Sequence, residues 1–333
     1  MIKRLFVLIL VVALQSCVQP KEYTYIEVCP SDFDRCSLQS INSAGVVTGT
    51  GVKDGQVYSF MLKDDTYTEI GPPGWSNVMA VGINDQGEIV GYGFKNYMWE
   101  QNFGFLYQDS QYEEIADTTW YSTSPYRINN NGQIIGVRRS IPPYPRTGTE
   151  GFLYDDREFT RIIPPGWASA QAEDVNDFGV VVGSGMVAWY GARLAFIYTD
   201  GRYHILQPAF WDEVNAHSIN NKGAVVGQAK IKDATVTYGY MYKEGFYTKL
   251  MPPGWDSCVA YAINNHCAVV GGYDEYIDRA GKGFVYEKGT YTEILPPGWT
   301  TATAVDINDN GTIIGFGNKG DKRMGFIAVP VNN

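Results

Sequence analysis

Short apolar segments separated by turn residues run through most of the chain. Near the C-terminus, "TATAVDIN" alternates apolar with small or polar positions, and "DNG" then leads into the apolar run "TIIG". Segments such as "GFVY" and "YTEI" lie between these units. Period-two alternation bounded by Asn, Asp and Gly predicts short β-strands joined by tight turns, and long helical patterns are missing. We call the four strand types A, B, C and D, after "TATAVDIN", "GTIIG", "GFVY" and "YTEI".

The pattern occurs seven times. Its A–B segment reads Ile-Asn, two residues, Gly, an apolar pair and Gly, as in "INDQGEIVG". The Asn stands at positions 42, 84, 129, 176, 220, 264 and 308, with spacings of 42 to 47 residues. Four strands in a unit of this length are typical of one β-propeller blade. Asn and Gly suit the A–B turn, and acidic residues are not kept between copies, so we interpret the motif as turn chemistry rather than a calcium loop.

Aromatic residues keep the same period. Strand C carries one in every copy and so does strand D, as in "GFLY" and "YTEI". A third column stands nine residues before each Asn, mostly within "PPGW": Phe33, Trp75, Trp120, Trp167, Trp211, Trp255 and Trp299. These side chains have two interpretations. They form a ring of aromatic platforms that binds sugars or a partner protein, or each one wedges between blades and seals the connection from strand D to the next strand A.

The two ends of the chain complement each other. The segment "YTYIEV" at 23–28 is a strand D without a preceding strand C, and "GFIAVP" at 325–330 is a strand C without a following strand D. Together they complete one blade, which closes the ring and leaves no open sheet edge. The predicted fold is therefore all-β: a seven-bladed β-propeller with four strands per blade, formed as a single domain by residues 23–333.

The unit "GFLY…PPGW…INDxGxIVG" resembles the HAF-type extracellular repeat of secreted and surface proteins of bacteria. The resemblance covers residues 23–330 and implies no established reaction. Four copies depart from the pattern. Phe33 replaces Trp in the first, "ADTTW" and "QPAFW" replace "PPGW" in the third and fifth, and Cys267 replaces the turn Gly in the sixth.

The first residues predict a targeting segment. Lys3 and Arg4 precede a ten-residue apolar run, which is too short to cross a bilayer comfortably and ends in "LQSC". This resembles the lipobox of bacterial lipoproteins, which implies that residues 1–16 are removed and that Cys17 is acylated. A plain secretory peptide is the alternative. Val18 after the Cys resembles lipoproteins sent to the outer membrane, so the expected location is the bacterial envelope, with residues 17–22 as a short tether.

Charge narrows the choice of partner. Without residues 1–16 the chain has 24 basic and 36 acidic residues. An acidic protein disfavours nucleic acid and anionic lipid as partners. The charges are scattered rather than clustered, which is typical of a solvated surface.

The B–C loops differ between copies in length and content, and on a rigid scaffold such loops commonly carry function. Four of them cover residues 92–103, 137–150, 184–194 and 272–282. Their candidate binding residues are Trp99, Arg138, Arg139, Trp189, Tyr190, Tyr273 and Tyr276. The alternative is that these side chains fold back onto the blade edges.

Few residues suggest other chemistry. Cys29 and Cys36 flank the first connection and are a disulfide candidate in an oxidising envelope. Cys258 and Cys267 are too far apart along one strand and its turn to bond. Asp174 and Asp306 stand two residues before the motif Asn, with Arg127 in the same column, and are expected in the central channel.

Catalytic and metal-binding signatures are absent from the sequence, so neither a cofactor nor a metal is expected. The leading hypothesis is an envelope scaffold, anchored to the membrane by its lipid, that binds an unknown protein or glycan through its loops. A propeller enzyme acting on glycans is the second hypothesis, and it needs a group of convergent acids. A purely structural envelope protein is the third.

Overall fold

The structure is a computed structural model that describes residues 21–95, 101–116, 119–140, 148–188, 191–209, 211–232, 236–273 and 281–331. These residues form 28 β-strands in seven four-stranded antiparallel sheets. In the described part of the chain no helix is long and apolar enough to cross a membrane.

The first four blades follow the chain in simple order. Blade 1 contains β2 (Arg35–Ile41), β3 (Val47–Lys53), β4 (Gln56–Lys63) and β5 (Thr66–Ile70). Blade 2 contains β6 (Trp75–Ile83), β7 (Ile89–Lys95), β8 (Asn102–Gln108) and β9 (Gln111–Ile115). Blade 3 contains β10 (Trp120–Ile128), β11 (Ile134–Ser140), β12 (Thr149–Asp155) and β13 (Glu158–Ile162). Blade 4 contains β14 (Ser169–Val175), β15 (Val181–Met186), β16 (Arg193–Thr199) and β17 (Arg202–Leu206).

The last three blades complete the ring. Blade 5 contains β18 (Trp211–Ile219), β19 (Val225–Ile231), β20 (Thr237–Lys243) and β21 (Phe246–Leu250). Blade 6 contains β22 (Val259–Ile263), β23 (Val269–Gly272), β24 (Gly283–Glu287) and β25 (Thr290–Ile294). Blade 7 contains β26 (Thr301–Ile307), β27 (Ile313–Lys319), β28 (Lys322–Pro330) and, from the other end of the chain, β1 (Tyr23–Val28).

This arrangement confirms the predicted seven-bladed propeller and the strand types A to D. The first strand of each blade contacts the first strands of both neighbouring blades, so the A strands surround the central axis. Because the strands are antiparallel, the propeller has two distinct faces. We call the face with the A–B and C–D turns the turn face, and the face with the B–C loops and the D–A connections the loop face.

The second Gly of the motif lies in strand B, beside a β-bulge in the neighbouring strand A. In blade 4, Ala172 and Asp174 pair with successive residues of strand B, so Glu173 between them is the bulge residue. A Cβ atom on Gly183 would lie 2.0 Å from the carbonyl oxygen of Gln171 and 2.7 Å from the ring of Phe196. Five other blades show the same close approach of this Gly to a strand A carbonyl. The close approach of the strand A and strand B backbones therefore explains why this position is Gly.

The aromatic columns of strands C and D form one ring contact in each blade. The pairs are Phe60–Tyr67, Phe105–Tyr112, Phe152–Phe159, Phe196–Tyr203, Tyr240–Tyr247, Phe284–Tyr291 and Phe326–Tyr25, with centroids 5.3 to 6.2 Å apart. The strand C ring is fully buried in each pair. Some strand D hydroxyls also connect blades, since Tyr112 accepts a hydrogen bond from the Gly71 N–H and Tyr203 accepts one from the Ile163 N–H.

The chain ends close the ring as predicted. Strand β1 pairs with β28 over six residues, from Tyr23 opposite Pro330 to Val28 opposite Gly325. Directly after β1, Cys29 is joined by a disulfide to Cys36 in strand A of blade 1, with Cα atoms 5.5 Å apart. The closing strand of blade 7 is thus covalently tied to the blade that follows it.

Replacing Cys29 and Cys36 together by Ala is expected to lower the free energy of unfolding by about 2–3 kcal/mol, because the disulfide closes a short loop in the unfolded chain. Chemical denaturation of both proteins measures the difference. Reduced wild-type protein is the matched control and should coincide with the double variant. If reductant leaves the wild-type midpoint unchanged, the disulfide does not stabilise the closure.

The two remaining described cysteines are free thiols, in agreement with the spacing argument. Cys258 is buried, and burial raises its pKa to about 11. Cys267 adopts the left-handed conformation of the glycine it replaces, with φ of 62°, and its N–H donates to the Asn264 carbonyl as in the other turns. The sixth A–B turn therefore keeps its geometry without glycine.

Candidate functional site

The tryptophan column packs into the blades on the loop face. Five of the indoles contact the strand C aromatic of their own blade, edge to face, with centroids 5.6 to 6.1 Å apart: Trp75, Trp167, Trp211, Trp255 and Trp299. Trp299 is only 5% exposed, and the other indoles are half-buried. Phe33 contacts Phe60 in the same way. Packing at the D–A connection therefore explains why an aromatic residue recurs at this position.

Trp120 has a different partner. Its ring lies under the guanidinium of Arg138, 4.0 Å from the ring centroid, and Arg138 also faces Glu150 at 3.8 Å. Arg161 forms a shorter ion pair with the same Glu150, at 2.5 Å. Since Arg138 is only 7% exposed, this group is part of the blade 3 packing. The neighbouring Arg139 is exposed and is the candidate arginine available to a ligand.

Of the remaining loop candidates, the structure describes only Tyr273. Tyr273 contacts the ring of Trp255, with centroids 5.6 Å apart, at the end of strand B in blade 6. Trp99, Trp189, Tyr190 and Tyr276 lie outside the described residues, as does Cys17.

A ring of seven asparagines on the turn face was not anticipated from the sequence. The Nδ2 group of each motif Asn donates to the backbone carbonyl of the equivalent Asn in the next blade, from Asn42 to Asn84 and finally from Asn308 back to Asn42. The seven donor–acceptor distances are 2.8 to 3.1 Å. Each Oδ1 meanwhile accepts N–H bonds from its own turn, as Asn176 does from Phe178 and Val180. The motif Asn therefore both shapes its turn and joins adjacent blades.

The residue after each motif Asn forms a second ring. In six blades its backbone N–H donates to the side chain of the equivalent residue in the next blade, as Asp85 does to Asn130 and Asn221 to Asn265. These residues surround an open depression of about 190 Å³ on the central axis. Only Ser, Asn and Asp occur in this column, and that restriction is the sequence signal that could have revealed it.

One strand A position at the central channel holds very different residue types in the seven blades. Three residues before the motif Asn, the blades carry in order Gln39, Val81, Tyr126, Glu173, His217, Tyr261 and Val305. The His217 and Tyr261 rings are 6.0 Å apart, and Tyr126 lies 6.2 Å from the ring of Tyr92 in strand B of blade 2. The aromatic and ionisable members of this column therefore belong to four adjacent blades, 3 to 6.

Asp174 and Asp306 lie in the channel as expected, and both join blades. Asp174 accepts hydrogen bonds from the N–H groups of Val175 and Ile219. Asp306 accepts bonds from the Ile307 and Ile41 N–H groups and from a Ser hydroxyl of blade 1. Burial raises the pKa of both carboxyl groups, although Arg127 opposes the rise. Their oxygens are occupied by structural contacts.

Glu173 and His217 are bonded less completely than the two aspartates. The described residues supply no hydrogen-bond partner for the buried Nε2 of His217. Burial is also the main reason that the pKa of His217 falls to about 4, with Arg193 adding to the effect, so this imidazole is neutral at pH 7. Burial raises the pKa of Glu173, and Arg193 and Arg127 oppose the rise. The Arg193 guanidinium donates hydrogen bonds to the side-chain oxygens of Gln171 and Asn215, each at 2.5 Å.

Replacing Glu173 by Gln is expected to stabilise the protein at pH 7. Because the folded-state pKa lies above the unfolded value, the folded state retains its proton to higher pH, and the free energy of unfolding falls as the pH rises through that window. Gln has no charge to desolvate, so the advantage over wild type should be present at pH 7 and shrink towards pH about 4. Denaturation at several pH values measures it, with the exposed Glu158→Gln as control. An advantage that is independent of pH would contradict this account.

No group of three His, Cys, Asp or Glu side chains within the described ranges is arranged to hold a metal ion. The three channel carboxylates also do not form the free acid pair that glycoside hydrolysis requires, since two of them are committed to backbone N–H groups.

The chain is similar to known proteins mainly in its fold. A family model described as "Protein of unknown function (DUF3466)" matches residues 35–163, which is less than half of the chain. No curated protein matches it. The β-propeller domain of the Trilobed protease from Pyrococcus furiosus, described with an open velcro topology, superposes with a TM-score of 0.64 at 11% identity, covering 89% of this chain and 94% of that one.

Two further structures share the architecture. An acylaminoacyl peptidase in complex with Z-Gly-Gly-Phe-chloromethyl ketone superposes with a TM-score of 0.64 at 11% identity, over 90% of this chain but only 52% of the peptidase. This chain thus spans about half the length of that enzyme. YCF48 bound to D1 peptide superposes with a TM-score of 0.53 at 13% identity, covering 92% of this chain and 94% of that one. At these identities the likeness shows the propeller fold.

Proposed function

We propose that this protein is a binding scaffold of the bacterial envelope, anchored to the membrane by an acylated Cys17, that holds its ligand on the loop face and at the loop-face entrance of the channel. The N-terminal segment supports the anchor through its resemblance to a lipobox. The resemblance of the repeats to HAF-type extracellular repeats supports a place outside the cytoplasm.

One observation carries the choice of face. On the turn face, residues that recur in the blades bond to one another, through the ring of seven asparagines and the ring beside it. The bonded columns of the turn face admit only Asn, or Ser, Asn and Asp, whereas the channel column ranges from Val to Glu and the B–C segments also differ in length. A repeated contact builds the ring, whereas a ligand site needs distinct groups at distinct places, so the variable side is the better binding surface.

The groups on that side fit a partner with both apolar and hydrogen-bonding surface. Arg139 is exposed, and its charge acts on the nearby Tyr92 and Tyr126 hydroxyls. Tyr273 and Trp255 provide an aromatic pair on blade 6. Aromatic rings stack on sugars and anchor protein partners, so a glycan or a peptide segment is the expected ligand. The YCF48 structure shows a peptide bound to a propeller of similar architecture.

Two measurements test this function. The mass of the N-terminal peptide from purified membranes should show a Cys17 carrying acyl chains, and the Cys17→Ala variant should lack them. Thermal unfolding of the chain starting at Lys21, which contains all 28 strands, is then followed with peptidoglycan fragments, glycans and envelope peptides. A ligand at 100 times its dissociation constant should stabilise the fold by about 2.7 kcal/mol. No shift with any of them would favour the purely structural role.

An enzyme acting on glycans is the second candidate, and Glu173 is the observation that favours it. This carboxyl group faces the channel, and burial raises its pKa, as is useful for a general acid. Incubating a shift-inducing glycan with wild type and with Glu173→Gln separates the two functions. Cleavage by wild type that the variant abolishes would identify an enzyme, and intact glycan with both would identify a binding protein.

A further inference from the structure

The chain leaves the ring on the turn face. Strand β1 begins at Tyr23, opposite Pro330 at the turn-face end of β28, and runs towards the loop face. Lys21, just before it, forms an ion pair with Glu287 of blade 6 at 2.8 Å. Cys17 precedes Lys21 by four residues, and that much chain spans at most roughly 14 Å. An acyl group on Cys17 would therefore hold the turn face, and not the loop face, close to the bilayer.

Two exposed phenylalanines lie on this same face. Phe178, in the A–B turn of blade 4, is 75% exposed, and Phe246, beside the C–D turn of blade 5, is 78% exposed. They are the most exposed large hydrophobic residues in the described part of the chain. The other blades have Ala, Gln, Asn, Lys or His where blade 4 has Phe178. Neither phenylalanine is therefore required by the repeat, and both are available to an apolar partner.

Charge distinguishes this part of the turn face from blades 1 to 3. In and directly beside their turns, blades 4 and 5 carry three basic and three acidic residues: Arg202, Lys222, Lys243, Asp177, Asp200 and Glu244. The corresponding positions of blades 1 to 3 hold eight acidic and two basic residues. A bilayer containing anionic lipid would repel the acidic sector and tolerate the neutral one.

We propose that the turn face of blades 4 and 5 rests on the lipid bilayer, with Phe178 and Phe246 inserted among the headgroups, so that the loop face points away from the membrane. The inference rests on the acylated Cys17 of the proposed function. Blades 4 and 5 lie three and two blades from blade 7 around the ring, so this contact and the lipid anchor hold the propeller at two separate places. Partly buried aromatic side chains at an interface strengthen an otherwise mobile single anchor.

Spin labels on the full-length protein in bacterial membrane vesicles test this orientation. Labels are attached one at a time at Phe178→Cys, Phe246→Cys and Val187→Cys, in a Cys267→Ser background that removes the half-exposed thiol. Val187 is exposed on the loop face and is the matched control. Labels at 178 and 246 should be relaxed several-fold less than the control by a water-soluble nickel chelate and more by oxygen, which concentrates in lipid.

Other results would overturn the proposal in distinguishable ways. Labels at 178 and 246 that the chelate reaches as readily as the control, on a protein whose Cys17 is acylated, would leave the anchor but remove the bilayer contact. Labels shielded from both chelate and oxygen would indicate a protein partner or a second copy instead. A Cys17 without acyl chains would remove the anchor and this orientation together.

Discussion

Replacing Gly183 by Ala is expected to destabilise the propeller by about 3 kcal/mol, because a single methyl group cannot be accommodated there without movement of its neighbours. The added Cβ would lie 2.0 Å from the Gln171 carbonyl oxygen and 2.7 Å from the Phe196 ring. The carbonyl belongs to strand A and the ring is fully buried, so neither can move aside easily. Urea denaturation measures the loss.

Gly201→Ala is the matched control. Gly201 has a φ of 78° and nothing within 4 Å of an added Cβ, so its replacement tests backbone conformation without a steric clash. The expected loss is about 1–2 kcal/mol. If the two variants lose the same stability, strand B has room for a side chain beside the bulge of strand A, and the explanation of the motif Gly is wrong.

Replacing Asn176 by Ala should lower the free energy of unfolding by roughly 3–5 kcal/mol, because one buried and two partly buried backbone groups lose their hydrogen-bond partner. Its Nδ2 donates to the Asn220 carbonyl at 3.1 Å, and its Oδ1 accepts from the N–H groups of Phe178 and Val180, both at 3.0 Å. The first bond joins blades 4 and 5, and the other two shape the turn of blade 4. Thermal and chemical denaturation measure the loss.

Asn176→Asp separates these two roles. An ionised carboxylate still accepts the two turn N–H bonds but faces the Asn220 carbonyl without a proton to donate, so the variant should be weakened at pH 7. Protonation of this carboxylate restores a hydrogen-bond donor. The stability deficit relative to wild type at the same pH should therefore become smaller at acidic pH. The exposed Asn310→Ala, which removes one bond to the Ser43 carbonyl, is the control and should cost about 1 kcal/mol. A ring without energetic importance would show equal losses for Asn176→Ala and Asn310→Ala.

The sequence predicted the fold because each feature was seen seven times. The columns of Asn, Gly and aromatic residues defined the blades, and the unpaired strands at 23–28 and 325–330 defined the closure that β1 and β28 form. Contacts between blades could not be inferred in this way. The bond from Asn176 to the Asn220 carbonyl joins residues 44 positions apart, and turn chemistry alone already explained why Asn was there.

The channel was anticipated only at Asp174, Asp306 and Arg127. The position one residue earlier, which holds Glu173 and His217, was missed because it does not repeat and lies in the strand A bulge. A bulge changes which side chain faces the axis, and sequence alternation does not show where it occurs. The signal was nevertheless present: this is a strand A column in which Gln, Val, Tyr, Glu and His replace one another.

The most direct test of the binding face uses the peptidoglycan fragment, glycan or peptide that gives the largest thermal shift. Arg139→Gln and Tyr273→Ala, on the loop face, should reduce or abolish that shift, while Phe178→Ser on the turn face should leave it unchanged. The opposite pattern, with the shift lost in Phe178→Ser and kept in the other two variants, would place the ligand on the turn face and contradict the account.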